Sequence, residues 1–444
     1  MSDASPWKGR RLHMIGVGGA GMSAYARAAR ALGASVTGSD QRESPFARAL
    51  LADAILDQLH VGHAAANLPA GDDIEVVCSS AIPVANVERE AALARGLRVL
   101  TRADLIGELS ALRRTIAVAG AHGKTTTASM IALVLAAAGL DPGYLIGGVL
   151  RDTGLGGHWG SGDWLVVEAD ESDRSLLSLH VEIAVLCNVE LDHHDRFGSL
   201  RELEDVYREF LAGAPCAVIL DRPELLALRD GPLVSYDAAP ELIAGGSRFD
   251  FAGTRIELAV PGVHNARNAA AALAVAQVVG VPLEVAAGAL ARFSGAGRRF
   301  ERLGSSASGA EVYDDYAHHP TELAATLAAA RTLAPKRLIA AFQPHLYSRT
   351  RALAREFGAA LASADVAAVL DVYPARELAA DFPGVSGLLV ARAAADAAGG
   401  KPVYWVPQRD LALLVLRELL APGDLLVVMG AGDIDALGRD LADG

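Results

Sequence analysis

The stretch RTIAVAGAHGKTTTASMIALVLAAAG (residues 114–139) reads as an apolar strand, a glycine turn and a long Ala-rich helix. In such a unit the backbone N–H groups of the turn face a bound anion, and the N-terminus of the helix adds to that field. Gly120, His122, Gly123, Lys124, Thr125 and Thr126 are therefore the candidate polyphosphate-binding residues. Lys124 would neutralise the outer phosphates and the Thr125 hydroxyl would ligate Mg²⁺. Two residues separate Gly120 from Gly123, where the common P-loop has four between its glycines.

A second glycine turn, GVGGAGMS (residues 16–23), follows the apolar run Leu12–Ile15. Gly18, Ala20, Gly21, Met22 and Ser23 are its candidate diphosphate-binding positions. Asp40 follows roughly twenty residues later, at the end of another strand-like run, the spacing of an acid that holds a ribose in a dinucleotide fold. This turn alone admits a nicotinamide oxidoreductase. Two phosphate loops in one chain point instead to a kinase or ligase acting on a nucleotide-linked substrate.

The chain has 444 residues, 52% hydrophobic and 5% aromatic, with a net charge of −13. Length suggests about three domains. The acidic balance argues against a general nucleic-acid binder, which needs a basic face. Cys78, Cys187 and Cys216 lie far apart in apolar runs, without zinc spacing, and are expected as buried free thiols. No leader-like apolar segment opens the sequence, and no run approaches the ~18–20 apolar residues of a membrane span. A soluble, cytoplasmic protein is expected, with no membrane partner.

Short β-branched runs alternate with Ala/Leu helical patterns throughout, the rhythm of parallel sheets with crossover helices. Strands are expected in 34–40, 74–80, 97–101, 163–170, 182–189 and 216–221, and again in the block that opens near residue 298. The expected class is α/β with a Rossmann-like N-terminal domain (1–112), a central P-loop ATPase-like domain with a mostly parallel sheet (113–296) and a Rossmann-like C-terminal domain (297–444).

On these motifs the chain resembles the Mur ligase family, the ATP-dependent amide-forming enzymes of peptidoglycan synthesis. GAHGKTTT, VVEADESD (166–173), NVELDHHD (188–195), GVHNARNAAA (262–271) and GAGRRFE (295–301) stand in the family's order. GVGGAGMS, DDYAHHPTE (314–322) and FQPHLYSRT (342–350) favour the member that joins L-alanine to the lactyl carboxylate of UDP-N-acetylmuramate. The resemblance implies an acyl-phosphate route, ATP and Mg²⁺, and a monomer or weak homodimer. Alternatives are a recycling ligase that adds a tripeptide to the same nucleotide, a nicotinamide-dependent oxidoreductase, and a non-catalytic UDP-sugar-binding protein.

The resemblance assigns roles residue by residue. Lys124, Glu168, His193 and Arg299 would be catalytic, with Thr125, Glu168 and His193 toward the metal. Asp170 and Glu171 are alternatives to Glu168, His194 to His193 and Arg298 to Arg299. Asn265 and Asn268, three apart on one helix face, would lie near adenine and phosphate, although two polar residues opening an Ala-rich helix also read as caps. Asp315 would contact the ATP ribose. Gly18, Ala20, Gly21, Met22, Ser23, Asp40, His63 and Ser79 would hold the UDP-sugar. Tyr316, His345 and Arg349 would meet the amino acid. Leu346 stands where the family more often has Arg, which puts weight on Arg349 and suggests that Arg at 346 is tolerated. Sister ligases that use a carbamylated lysine need one in the central domain. Lys124 is the only lysine there, so an unmodified site is expected.

Overall fold

A computed structural model describes residues 6–192 and 196–443. The chain divides into two compact units: Met1–Glu190 with Ser199–Asp237 and Asn268–Ala289, and Leu191–Gly198 with Ala238–Arg267 and Leu290–Gly444.

The first unit holds two sheets. One has five parallel strands, in the order Gln58–Val61, Ser35–Asp40, Arg11–Ile15, Ile74–Cys78, Arg98–Thr101. Strand order reverses beside Arg11–Ile15, the switch point at which such sheets open a ligand crevice. The other has seven strands, ordered Leu233–Tyr236, Cys216–Leu220, Ile183–Leu186, Arg114–Ala119, Trp164–Glu168, Gly143–Leu150, Leu155–His158. All its pairings are parallel except the last, a hairpin. That hairpin packs on the helix Ala20–Ala31 so closely that a Cβ on Gly157 would lie 2.5 Å from Ala24 Cα. Arg102 adds a second fastening. Its guanidinium donates to Asp170 (2.8 Å), Asp173 (3.0 Å) and the Tyr25 hydroxyl (3.2 Å). The two glycine loops are thereby carried on one body.

The second unit holds an antiparallel three-stranded sheet, Glu241–Ile243, Gly246–Phe251 and Thr254–Leu258. It also holds a six-stranded sheet ordered Glu301–Ser305, Glu311–Asp315, Leu425–Met429, Leu338–Phe342, Val366–Val369, Val403–Trp405. Its first strand pairs antiparallel and the rest are parallel. Leu338–Phe342 and Leu425–Met429 are buried throughout, as strands covered on both faces must be.

The α/β class and mostly parallel sheets agree with the expectation. The free thiols need one correction. Cys78 and Cys187 are buried, but Cys216 is only half-buried, because it opens its strand where cover by neighbouring elements is incomplete. Among the described residues no helix is long and apolar enough to cross a membrane.

Candidate active site

Gly120 (φ 137°) and Gly123 (φ 80°) bend the chain between the strand Arg114–Ala119 and the helix Lys124–Ala137. Both lie in the left-handed region that favours glycine. A Cβ at Gly123 would also press on Asn268 Oδ1 at 2.7 Å, which brings the predicted Asn268 against the loop. No side chain caps this helix, so its first-turn N–H groups are left for a ligand. Asn188 braces the turn, accepting from His122 N and donating to His122 O, each at 2.9 Å. Sequence reasoning did not single out Asn188; its signal was a polar residue just after the apolar run 183–187. The His122 ring lies 3.3 Å from Glu190.

Lys124 Nζ donates to Gly120 O (2.6 Å) and to both oxygens of Glu171 (3.0 Å each). Glu171 is buried. Burial pulls the ammonium down, but Glu171, Asp170 and Glu168 overcome it, and the Lys124 pKa is raised. Glu168, at the end of the strand Trp164–Glu168, and Asp170 and Glu171 just beyond it each have a separate place. Glu171 holds Lys124, Asp170 holds Arg102, and Glu168 accepts from Gly147 N at 2.6 Å.

Gly147 and Gly148 run past both proposed metal-site groups. A Cβ on Gly147 would lie 3.4 Å from Glu168 Oε2, and one on Gly148 would lie 2.9 Å from Thr125 Cγ2. Glu168 and Thr125 thus both border this glycine pair, and a carboxylate and a hydroxyl-bearing residue are hard-oxygen donor types of the kind that suits Mg²⁺. His193 and His194 lie outside the described residues.

The first glycine loop is built similarly. Gly16 has φ 81°, and Gly16 N and Val17 N donate to Ser39 O (2.8 and 3.1 Å). Gly18 N donates to Asp40 Oδ2 at 2.8 Å, and Ser44 Oγ donates to Gly18 O at 2.8 Å. Asp40 thus braces the loop from below. The helix Ala20–Ala31 begins after Gly19 without a side-chain cap, and a Cβ on Gly21 would meet open space. Met22 and Ser23 are buried, and Ser23 Oγ is turned back to Ala20 O at 2.7 Å. Ser79 Oγ accepts from Ala81 N at 3.3 Å. His63 Nδ1 sits 3.3 Å from the buried Glu88.

In the second unit Arg299 lies between two residues with left-handed backbone, Arg298 (φ 56°) and Phe300 (φ 49°). Asp315 accepts from Phe300 N and Ala317 N, both at 2.8 Å, and burial lifts its carboxyl to about 6 despite Arg299. Arg299 reaches Glu322 (3.4 Å) and, with Arg298, lies over the Tyr316 ring. Asn265 donates to Pro261 O at 2.8 Å.

His345 stacks on Tyr373 at 5.8 Å and meets Arg349 Nη1 at 3.2 Å. Arg349 is buried, and its Nε and Nη2 make a paired contact with Asp192, both at 2.9 Å.

Leu346 corrects the sequence reading. It has φ 69°, is 2% exposed, and its N–H is taken by Tyr373 O at 3.0 Å. An Arg there would bury an unpaired charge. Leu346→Arg should therefore cost at least about 3 kcal/mol in urea unfolding, where the sequence suggested tolerance.

Burial lowers His318 to about 4 and, joined by His318 and Arg349, lowers His345 to about 3. Both stay neutral in the fold but gain protons in the unfolded chain once pH falls below their ordinary 6.5. Their contribution is complete above that value and drains away as pH falls toward 4. The raised Asp315 acts in the opposite sense, in wild type and variant alike. His345→Gln should thus lessen the loss of unfolding free energy between pH 7 and 4.5 by about 1–3 kcal/mol, read from urea unfolding at the two pH values.

Three family models match along the chain: Mur ligase family, catalytic domain, at residues 11–114; Mur ligase middle domain at 118–276; and Mur ligase, glutamate ligase domain, at 298–432. The chain belongs to the Mur ligase family. This Mur ligase is 44% identical to the UDP-N-acetylmuramate–L-alanine ligase of Thermobifida fusca, over 98% of this chain and 96% of that protein. Its fold matches the crystal structure of UDP-N-acetylmuramate-alanine ligase from Thermotoga maritima with TM-score 0.83 and 26% identity, over 98% of each chain. A murein peptide ligase from Psychrobacter arcticus matches with TM-score 0.71 and 27% identity, also over 98% of each.

Proposed function

We infer that the protein is an ATP-dependent ligase that joins L-alanine to UDP-N-acetylmuramate in peptidoglycan precursor synthesis. The near full-length likeness to the Thermobifida fusca ligase carries this reading. Two uncapped glycine loops on one body agree with it, one for a UDP-sugar and one for ATP. A nicotinamide oxidoreductase or a UDP-sugar sensor would have no use for the Lys124–Glu171 arrangement at the second loop.

In this reading the N–H groups of Gly123–Thr126 and the Lys124 ammonium hold the polyphosphate and offset its charge as the muramate carboxylate attacks the γ-phosphorus. Lys124 leaves Glu171 for phosphate oxygens when ATP enters. Thr125, Glu168 and, by family likeness, His193 would hold Mg²⁺, which supplies further positive charge between the reacting anions. Arg299, fixed in its turn by the neighbouring backbone, and Asn265, Asn268 and Asp315 are assigned to ATP. Arg349, His345 and Tyr316 are assigned to L-alanine. An alanine amine attacking the acyl phosphate releases phosphate and forms the amide. The division at 1–112, 113–296 and 297–444, a cytoplasmic location, and a monomer or weak homodimer complete the reading.

The murein peptide ligase likeness supports one rival, a ligase that adds a tripeptide. Phosphate release with UDP-N-acetylmuramate across L-alanine, glycine, L-serine and a free tripeptide separates them. L-alanine should give the highest kcat/KM. Release with tripeptide alone would overturn the reading.

A further inference from the structure

Glu88, on the helix Val87–Ala94, has no exposed surface, and no motif marks it. Its Oε1 receives Asn67 Nδ2 (2.6 Å), Ala64 N (3.1 Å) and His63 Nδ1 (3.3 Å). Its Oε2 receives Ser39 Oγ (2.5 Å) and faces His13 Nε2 (3.1 Å). Burial by itself would raise this carboxyl, but the hydrogen bonds of His13, Ser39, Asn67 and Ala64 bring it down to about 2. An ionised carboxylate accepts only, and donors fill both of its oxygens.

These partners come from the parts that shape the first ligand crevice. Ser39 O is the acceptor for Gly16 N and Val17 N, where the glycine loop begins, and Asp40 follows it. His63, Ala64 and Asn67 belong to the segment after the edge strand Gln58–Val61. In the tautomer that donates Nδ1–H to Glu88, Nε2 is the acceptor nitrogen. Among the described residues no group is hydrogen-bonded to Nε2, while the side chain keeps 11% of its surface exposed.

We propose that Glu88 is a positioning residue for the nucleoside diphosphate of the UDP-sugar, fixing His63 as its Nδ1–H tautomer so that Nε2 accepts from a hydroxyl or imide N–H of the uridine, and holding Ser39 beneath the glycine loop. This rests on the assignment of the UDP-sugar to the first loop. Gln at 88 would turn an NH₂ toward donors on one side or the other, whichever way it flips.

The test is titration calorimetry with UDP-N-acetylmuramate and, separately, ATP. Glu88→Gln should weaken UDP-N-acetylmuramate about 10- to 100-fold and leave the ATP Kd within twofold. Adding His63→Ala to Glu88→Gln should change little further, since the ring is already misplaced; fully multiplying effects would overturn the proposal. Gly18→Val serves as the control, because its side chain would strike Ser44 Oγ and Asp40 Oδ2, 2.7 and 2.9 Å from a Cβ. If Gly18→Val binds the sugar nucleotide normally, the ligand assignment is wrong. If Gly18→Val blocks binding and Glu88→Gln does not, the role of Glu88 is wrong. Should Glu88→Gln fail to fold, ¹⁵N spectra of the wild type decide. His63 must show the Nδ1–H tautomer, with Nε2 shifting on addition of UDP-N-acetylmuramate. An Nε2–H tautomer, or no shift, would overturn the proposal.

Discussion

Replacing Lys124 by Ala should cut ATP-dependent phosphate release by at least about a thousandfold, the scale of losing a cation that stabilises a transferring phosphoryl group. UDP-N-acetylmuramate should still bind, because it is assigned to the other loop. The structure adds a second consequence that the motif alone does not carry. Lys124 is the cation on both oxygens of buried Glu171, so the variant takes that positive charge away from a buried carboxylate. A loss of about 3–5 kcal/mol in stability is expected. Lys124→Met combined with Glu171→Gln should recover most of that stability and none of the turnover. Recovery of turnover in the double variant would remove Lys124 from the chemistry and leave it a structural ion pair. Loss of UDP-sugar affinity with ATPase retained would reverse the loop assignments.

Arg349→Ala should raise the KM for L-alanine about 30- to 4000-fold, from the ~2–5 kcal/mol lost when one partner of a desolvated charge pair is truncated. KM for UDP-N-acetylmuramate should move little. Asp192 already occupies Nε and Nη2, which leaves Nη1, shared with His345, as the donor toward the alanine carboxylate. Asp192→Asn is the informative companion. It keeps the shape of the pair while removing its charge, so it should disturb alanine binding less than Arg349→Ala does. Equal effects would make Arg349 a holder of Asp192. An alanine KM within threefold of wild type for Arg349→Ala would take the residue out of the amino-acid site.

Much of the fold is written in local pattern. Apolar runs, two of them ending in glycine turns, mark the parallel strands Arg11–Ile15, Arg114–Ala119 and Trp164–Glu168 within a residue or two, because strands buried on both faces must be apolar throughout. The two glycine loops were legible for a related reason: left-handed φ at Gly16, Gly120 and Gly123 demands glycine at fixed spacing. The antiparallel pieces were not legible. Gly143–Leu150 with Leu155–His158, and the sheet 241–258, are short and glycine-bearing or half-exposed, and their pairing is set by partners far from local sequence signals. The same holds for the partners of charged groups. VVEADESD presents Glu168, Asp170 and Glu171 within four consecutive residues, yet only tertiary packing sends Glu168 to Gly147, Asp170 to Arg102 and Glu171 to Lys124. Leu346 shows the limit most plainly, since its position in a motif suggested a place open to Arg, and the left-handed turn that buries it depends on Tyr373. Sequence by itself determined where the chain can make its left-handed glycine turns, because glycine's conformational range is a property of the residue. Only the tertiary structure decided which ions are paired and which side chains are buried, because desolvation and Coulomb energy depend on neighbours brought together by folding.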